Sequence, residues 1–205
     1  VIIITSGFKE VGLKGKILEE KVKAIGKSFG MRIIGPNCVG IINLINGLDA
    51  TFLKGIPAKG GIGFISQSGA VCGGVIDHMI GSGVGFSHII SLGNEADVDE
   101  TDVIEYLAMD TNTKVIAAYI EGIQDGQKFL KITRDVARQL AHAPERAAAR
   151  RVAVGLRHEA GDEAVALGDA LDQRVGFLLG CQHVEPPSLL HLELLVDQLV
   201  ERRLL

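Results

Sequence analysis

Ile62-Gly63-Phe64-Ile65-Ser66-Gln67-Ser68-Gly69-Ala70 is the stretch whose reading decides the fold. A short apolar run ends abruptly in serine and glycine, and a helical pattern follows from about Ala70 to Ile80. A buried strand that turns straight into a helix is the repeating unit of a parallel α/β sheet. The turn leaves first-turn amides without intrahelical acceptors, and the helix dipole adds positive potential there. Ser66, Ser68, Gly69 and Ala70 are therefore candidate phosphate-binding residues, with Ser66 and Ser68 able to add hydroxyl donors. The alternative for the same residues is plain N-capping by Ser68 beside a tight glycine turn.

The pattern repeats on both sides. Downstream, Phe86–Leu92 reads as a strand, followed by the polar loop Gly93–Glu100 and a short helix from Asp102 to Ala108 that Thr101 or Asp102 caps. Val115–Ile120 is the next strand, ending at Glu121-Gly122, and Asp125–Ala137 the helix after it. Upstream, Val1–Thr5 is a β-branched run delivering Ser6-Gly7. Leu13, Ile17, Leu18, Val22, Ile25 and Phe29 follow at helical spacing, an amphipathic helix expected to pack on a sheet. Met31–Ile34 is a further strand, ending in Gly35-Pro36-Asn37-Cys38-Val39-Gly40, and Lys54–Gly61 reads as a linker. Strands alternating with helices imply a doubly wound parallel sheet.

Composition narrows the classes. The 205 residues carry a net charge of −4, which weighs against nucleic acid as the main partner. The apolar runs are short and interrupted, so no membrane span is expected. No basic, cleavable leader is seen, and the chain opens at Val1 in mid-strand, as a fragment would. Cys38, Cys72 and Cys181 form no metal-type pair, so a reduced, cytoplasmic setting is the simplest reading.

Two further motifs sit where open α/β sheets bind ligands, at the carboxyl ends of strands. At Gly35–Gly40 proline fixes the turn and the Asn37 amide both donates and accepts. The alternative is a structural Asx turn beside a buried free cysteine. Glu121 is placed to accept a hydrogen bond from an imidazole and orient it for nucleophilic attack, or to stand as a solvated loop carboxylate. Asp97, Asp99 and Glu100 lack the glycine and terminal glutamate offsets of a calcium loop, so capping and solvation are expected and no metal site is assigned. His78 and His88 read as ordinary packing or surface residues.

Taken in order, these pieces resemble the NDP-forming acyl-CoA synthetases, the family of ADP-forming acetate–CoA ligase and the succinyl-CoA synthetase alpha subunit. Gly7-Phe8-Lys9-Glu10 and Gly35-Pro36-Asn37-Cys38-Val39-Gly40 resemble the second half of the CoA-binding domain. The Gly63–Ala70 motif, Ser91–Glu100 and Tyr119-Ile120-Glu121-Gly122 resemble the flavodoxin-like domain that follows, and the likeness covers about residues 1–136. The resemblance implies α/β architecture: a partial Rossmann-type CoA-binding domain over 1–55 and a flavodoxin-like doubly wound parallel sheet over 60–136. It implies interconversion of acyl-CoA, phosphate and ADP with acid, CoA and ATP through a phosphohistidine. Ser6, Gly7, Pro36, Asn37 and Cys38 would serve CoA, Ser66, Ser68, Gly69 and Ala70 the phosphoryl group, and Glu121 the catalytic histidine. Coenzyme A and a small carboxylic acid are the implied ligands. ATP or ADP and Mg belong to an implied ATP-grasp domain or beta subunit.

The family's Ser-His-Thr-Gly-Ala segment is not found around any of the six histidines; Glu159-Ala160-Gly161 occurs without it. The chain alone is therefore expected to be inactive as a ligase. The rival reading is a non-catalytic CoA or acyl-CoA sensor module of an acetyltransferase fusion. Residue usage also changes near 133: all eleven lysines and twenty-two isoleucines precede it, and nine of ten arginines follow. Residues 137–205 are accordingly expected to be of shifted frame or foreign origin, with a biased helical extension as the alternative.

Overall fold

The computed structural model describes residues 1–142, 151–156 and 175–179. Its strands form one seven-stranded sheet in the order β2-β1-β4-β3-β5-β6-β7. These are β1 (Gly40–Asn43), β2 (Leu48–Thr51), β3 (Ala58–Ser66), β4 (Gly85–Ser91), β5 (Val115–Ile120), β6 (Arg151–Leu156) and β7 (Val175–Leu179). The run β4-β3-β5-β6-β7 is parallel throughout. Counted from β3 its order is 2-1-3-4-5, the flavodoxin-like winding, whose ligand crevice lies where the chain reverses direction. Here that point falls between β3 and β5.

Helices cover both faces. The α2 helix (Gly69–Met79) lays Val71, Cys72, Val75, Ile76 and Met79 on Phe64, Phe86 and Ala117. On the other face α3 (Glu100–Met109) and α4 (Gly126–His142) bring Val103, Ile104, Leu107, Phe129 and Val136 to Ile65, Ile116, Ala118 and Ile120. Alternate residues of β5 thus serve opposite cores, as the pleat requires. Each fully buried side chain of this kind contributes roughly 1.5–3 kcal/mol.

Three features differ from the sequence reading. Gly40–Asn43 and Leu48–Thr51 form an antiparallel hairpin around Asn46-Gly47, and β1 pairs antiparallel with β4. Strand β3 begins at Ala58, so Lys59, Gly60 and Gly61 belong to the sheet and not to a linker. Gly60 allows this, because a Cβ there would lie 2.5 Å from the Gly85 backbone.

The first segments pair more sparingly than expected. Val1–Thr5 and Met31–Ile34 meet in one parallel bridge, Ile2 to Ile34, supported by Ile3 N–H to Ile34 O and Ile34 N–H to Val1 O, each 2.9 Å. Between them runs α1 (Leu13–Ser28), preceded by a 3-10 turn at Lys9–Val11. The helix buries Gly15, Glu19 and Gly26, while Leu13 and Phe29 are each 75% exposed. Ile17, Leu18 and Ile25 are also exposed, so no described residue covers the apolar side of this helix.

Of the stretch 137–205, the end of α4 and the strands β6 and β7 are described, the two strands in parallel register with β5 and each other. The rest, including Glu159-Ala160-Gly161, lies outside the described residues. Among the described residues no helix is long and apolar enough to cross a membrane.

Candidate active site at the switch point

The loops leaving β3, β4 and β5 converge on a cavity of about 360 Å³, lined by Lys9, Gln67, Gly93, Asn94, Glu95, Glu121, Gly122, Ile123 and Gln124. It stands over the carboxyl ends of the strands that flank the switch point. Of these residues the sequence assigns a role to Glu121; Lys9 and Gln67 lie inside the motifs quoted above without one.

The turn leaving β3 contributes Gln67 to the wall, and Ser68 follows it. Ser66 is fully buried, and its hydroxyl donates to Ser68 O at 2.8 Å and accepts from the Ser68 amide at 3.2 Å. Its hydroxyl is thus engaged within the turn. Ser68 is the N-cap of α2 and accepts from Val71 N–H at 3.4 Å. The Gly69 and Ala70 amides belong to the first turn and have no intrahelical acceptor. A Cβ at Gly69 would stand 3.0 Å from Val39 Cγ2, so this turn and the Gly35–Val39 turn approach each other closely.

The Gly35–Val39 turn is held from both ends. Asn37 N–H donates to Thr5 O at 2.9 Å, and Asn37 Nδ2 to Asn94 Oδ1 at 3.2 Å. Pro36 O accepts from Asn94 N–H at 2.8 Å. Cys38 is buried, its thiol donates to Ile3 O at 3.4 Å, and burial pushes its pKa up. Ser6 and Gly7 are exposed at the end of the first strand segment.

Asn94 ties the first segments to the sheet. Its Nδ2 donates to Glu10 Oε2 at 2.6 Å and to buried Glu19 Oε2 at 2.8 Å. Its carbonyl accepts from Lys9 Nζ. Burial works against the Glu10 carboxylate, but the donors Asn94, Gly7 and Phe8 outweigh it and hold its pKa down near 2. Glu95, at φ +53°, faces the other way and receives Gln67 Nε2 at 2.9 Å. Burial, reinforced by the charge of buried Glu100, pushes Glu95 up to about 8.

The acidic residues that follow are fixed by caps and cations. Asp99 caps α3 in a capping box with Asp102 and is 2.7 Å from Lys128 Nζ. Arg32 reaches Asp97 at 2.9 Å and Asp102 at 2.6 Å, and Ile33 N–H adds a bond to Asp97 at 2.7 Å. His88 is buried in β4, edge-on to Tyr106 at 5.7 Å between ring centres, and burial lowers its pKa.

Residues 59–176 match the family described as the succinyl-CoA ligase-like flavodoxin domain. The chain belongs to this family. The match to the succinyl-CoA ligase-like flavodoxin domain takes in all five parallel strands up to the start of β7 and runs past the change in residue usage near 133. The chain is 48% identical over 139 residues to the alpha subunit of acetate–CoA ligase (ADP-forming) II of Pyrococcus furiosus, covering 68% of this chain and 30% of the relative. It is 45% identical over 138 residues to acetate–CoA ligase (ADP-forming) I of Archaeoglobus fulgidus, covering 67% and 20%. The chain thus spans between a fifth and a third of the length of these relatives. A solved dinucleotide-forming acetyl-coenzyme A synthetase 1 of Ca. Korarchaeum cryptofilum, in complex with phosphate and ADP, superposes with a TM-score of 0.67 at 36% identity, over 76% of this chain and 31% of that one.

Proposed function

We propose that this chain is the acyl-CoA- and phosphate-handling portion of an NDP-forming acid–CoA ligase, interconverting acyl-CoA, phosphate and ADP with acid, CoA and ATP. The observation that carries the reading is the switch-point cavity lined by Lys9, Gln67, Asn94 and Glu121, together with the close approach of the Ser68 helix start to the Gly35–Val39 turn. The identity to ADP-forming ligases supports the same reaction class. Acetate is the acid these relatives are named for, and an alpha subunit among them favours an ATP-grasp domain or beta subunit as partner, where nucleotide and its Mg would be held.

The chain's own residues supply three things. The first-turn amides at Gly69 and Ala70 present positive potential to a phosphoryl group, and Ser68 fixes the start of the helix that carries them. Ser6, Gly7, Pro36 and Asn37 are the residues offered to CoA, and Lys9 adds a cation at the cavity wall. CoA, when bound, supplies the thiol that takes the acyl group. Cys38 contributes packing under the turn, because its buried thiol is held on Ile3 O. Glu121 offers a carboxylate that orients an imidazole, and donors aimed at a transferring phosphoryl group lower its barrier. The natural setting for this chemistry is the cytoplasm.

The test uses CoA as the probe on the isotopically labelled chain. CoA is expected to move the amide resonances of Gly7, Gly35, Asn37 and Cys38. A folded chain in which none of them responds contradicts the reading. Incubation with labelled ATP is expected to give no acid-labile phosphoprotein, since no histidine stands in the family's Ser-His-Thr-Gly context. Stoichiometric phosphohistidine on any of the six would overturn that expectation.

A further inference from the structure

We infer that Gln67 is the positioning residue of this site, its side-chain amide locking the loop that carries Glu121 to the loop that carries Glu95. The inference deepens the proposed function, since it rests on Glu121 acting in the cavity.

The geometry is saturated. Gln67 Oε1 accepts from the Glu121 amide at 2.7 Å and from the Gly122 amide at 3.0 Å. Gln67 Nε2 donates to Gly122 O at 2.8 Å and to Glu95 Oε2 at 2.9 Å. All four hydrogen-bonding positions of the amide are therefore filled. The orientation is forced, because the reversed amide would set its NH2 against two N–H donors and its oxygen against a carboxylate. Gln67 is itself anchored where its backbone joins the sheet, with N–H to Tyr119 O at 3.1 Å. One side chain on the most central turn thus spans the ends of β4 and β5. Glutamine suits the position because it alone combines two acceptor lone pairs, two donors and this reach without a charge.

The far end of the clamp is a buried carboxyl pair. Glu95 and Glu100 are 8% and 2% exposed, and each has one buried oxygen that no N–H or hydroxyl reaches, so a proton held on Glu95 bonds to Glu100. Glu95 faces Glu100 from α3, Lys9 from the 3-10 turn and Gln67 from the β3 turn; Glu100 faces Asp99 at the α3 cap and Lys128 from α4. A second negative charge on this pair has little water to screen it, but the Glu95 carboxylate accepts from Gln67 Nε2 more strongly than the neutral acid does, which polarises the Gln67 amide and strengthens Oε1 as an acceptor. The Glu95 titration is therefore transmitted through Gln67 to the backbone at Glu121 and Gly122.

The experiment is a pH titration of the labelled chain without ligand, following the Glu95 carboxyl carbon and the Glu121 and Gly122 amides. In the unsubstituted chain all three are expected to share one midpoint, near 8. In Gln67→Leu the Glu95 carboxyl still titrates, but the two amides no longer follow it. Gln67→Glu is the conservative variant. Its protonated acid restores a donor and an acceptor, so both amides return to their original positions at low pH and leave them as the new carboxyl ionises. The inference is overturned if the two amides ignore Glu95 in the unsubstituted chain, if Gln67→Leu leaves their titration intact, or if Gln67→Glu recovers them at no pH. Because no CoA or phosphate is present, a failure here is separate from a failure of the proposed function, which the CoA titration reads.

Discussion

Glu95 illustrates how burial decides the chemistry of a single residue. Its carboxyl is pushed from the ordinary 4.5 to about 8, chiefly by burial and then by the neighbouring Glu100. The sign follows from linkage: between these values the folded chain holds a proton that the unfolded chain has released. Stability from this group is greatest below about 4.5, falls as pH rises towards 8, and levels off above it. Glu100→Gln removes the opposing charge, so Glu95 is expected to ionise at lower pH and the decline to flatten. Urea unfolding at a series of pH values checks this; an unchanged slope would show that Glu100 is not the cause. Cysteine follows the same logic. Burial pushes Cys72 up to about 12 and raises Cys38, so both are expected to resist iodoacetamide in the folded chain and to react readily once it is unfolded.

At the scale of elements, helix glycines separate into two kinds. Gly15 in α1 lies against the chain before it: an added Cβ would sit 1.7 Å from Phe8 O. Gly74 in α2 has nothing within 4 Å. Gly74→Ala is therefore expected to stabilise by roughly 0.5–1 kcal/mol, through helix propensity alone. Gly15→Ala gains the same propensity but must displace backbone, and overpacking of this sort costs about 1–3 kcal/mol, so it destabilises. Thermal unfolding of the two variants is expected to give opposite shifts, and a rise for both would contradict the close approach at Phe8. The elements were largely legible in the sequence, because β3, β4 and β5 each hold a cluster of β-branched and aromatic residues and close in a polar turn. The β1–β2 hairpin was not, since Gly40–Asn43 is four residues long and its partner Leu48–Thr51 alternates weakly. Nor was the open side of α1: helical spacing shows which residues share a face, but not whether anything covers it. In the site, Glu121 was readable from its place at the end of an apolar strand. Gln67 and Glu95 were not, because their roles arise from contacts 54 and 28 residues apart.

For the whole molecule, the loop from Gly93 to Asp99 is the joint. Its backbone meets Pro36, Gly35 and Ile33 of the first segments through Asn94, Ala96 and Val98 N–H groups at 2.8, 2.9 and 3.0 Å. Its Glu95 side chain meets the sheet's central turn. The turn expected to serve CoA and the turn expected to serve phosphate are thus held at fixed separation by one short loop. That arrangement matters for group transfer, where misplacement by about 1 Å costs on the order of a hundredfold in rate. The central claim is that the Ser68 turn is an anion site, and inorganic phosphate tests it on the chain as it stands. A lone helix start contributes only ~0.3–2 kcal/mol of charge stabilisation, so millimolar phosphate is required. The account predicts that phosphate shifts the Ser68, Gly69 and Ala70 amide resonances and that Gly69→Asp, which places a carboxylate in the anion's position, abolishes the shift while the β3 and β5 amides keep theirs. If those three amides ignore phosphate while the sheet resonances report a folded chain, the phosphate role of the turn is wrong.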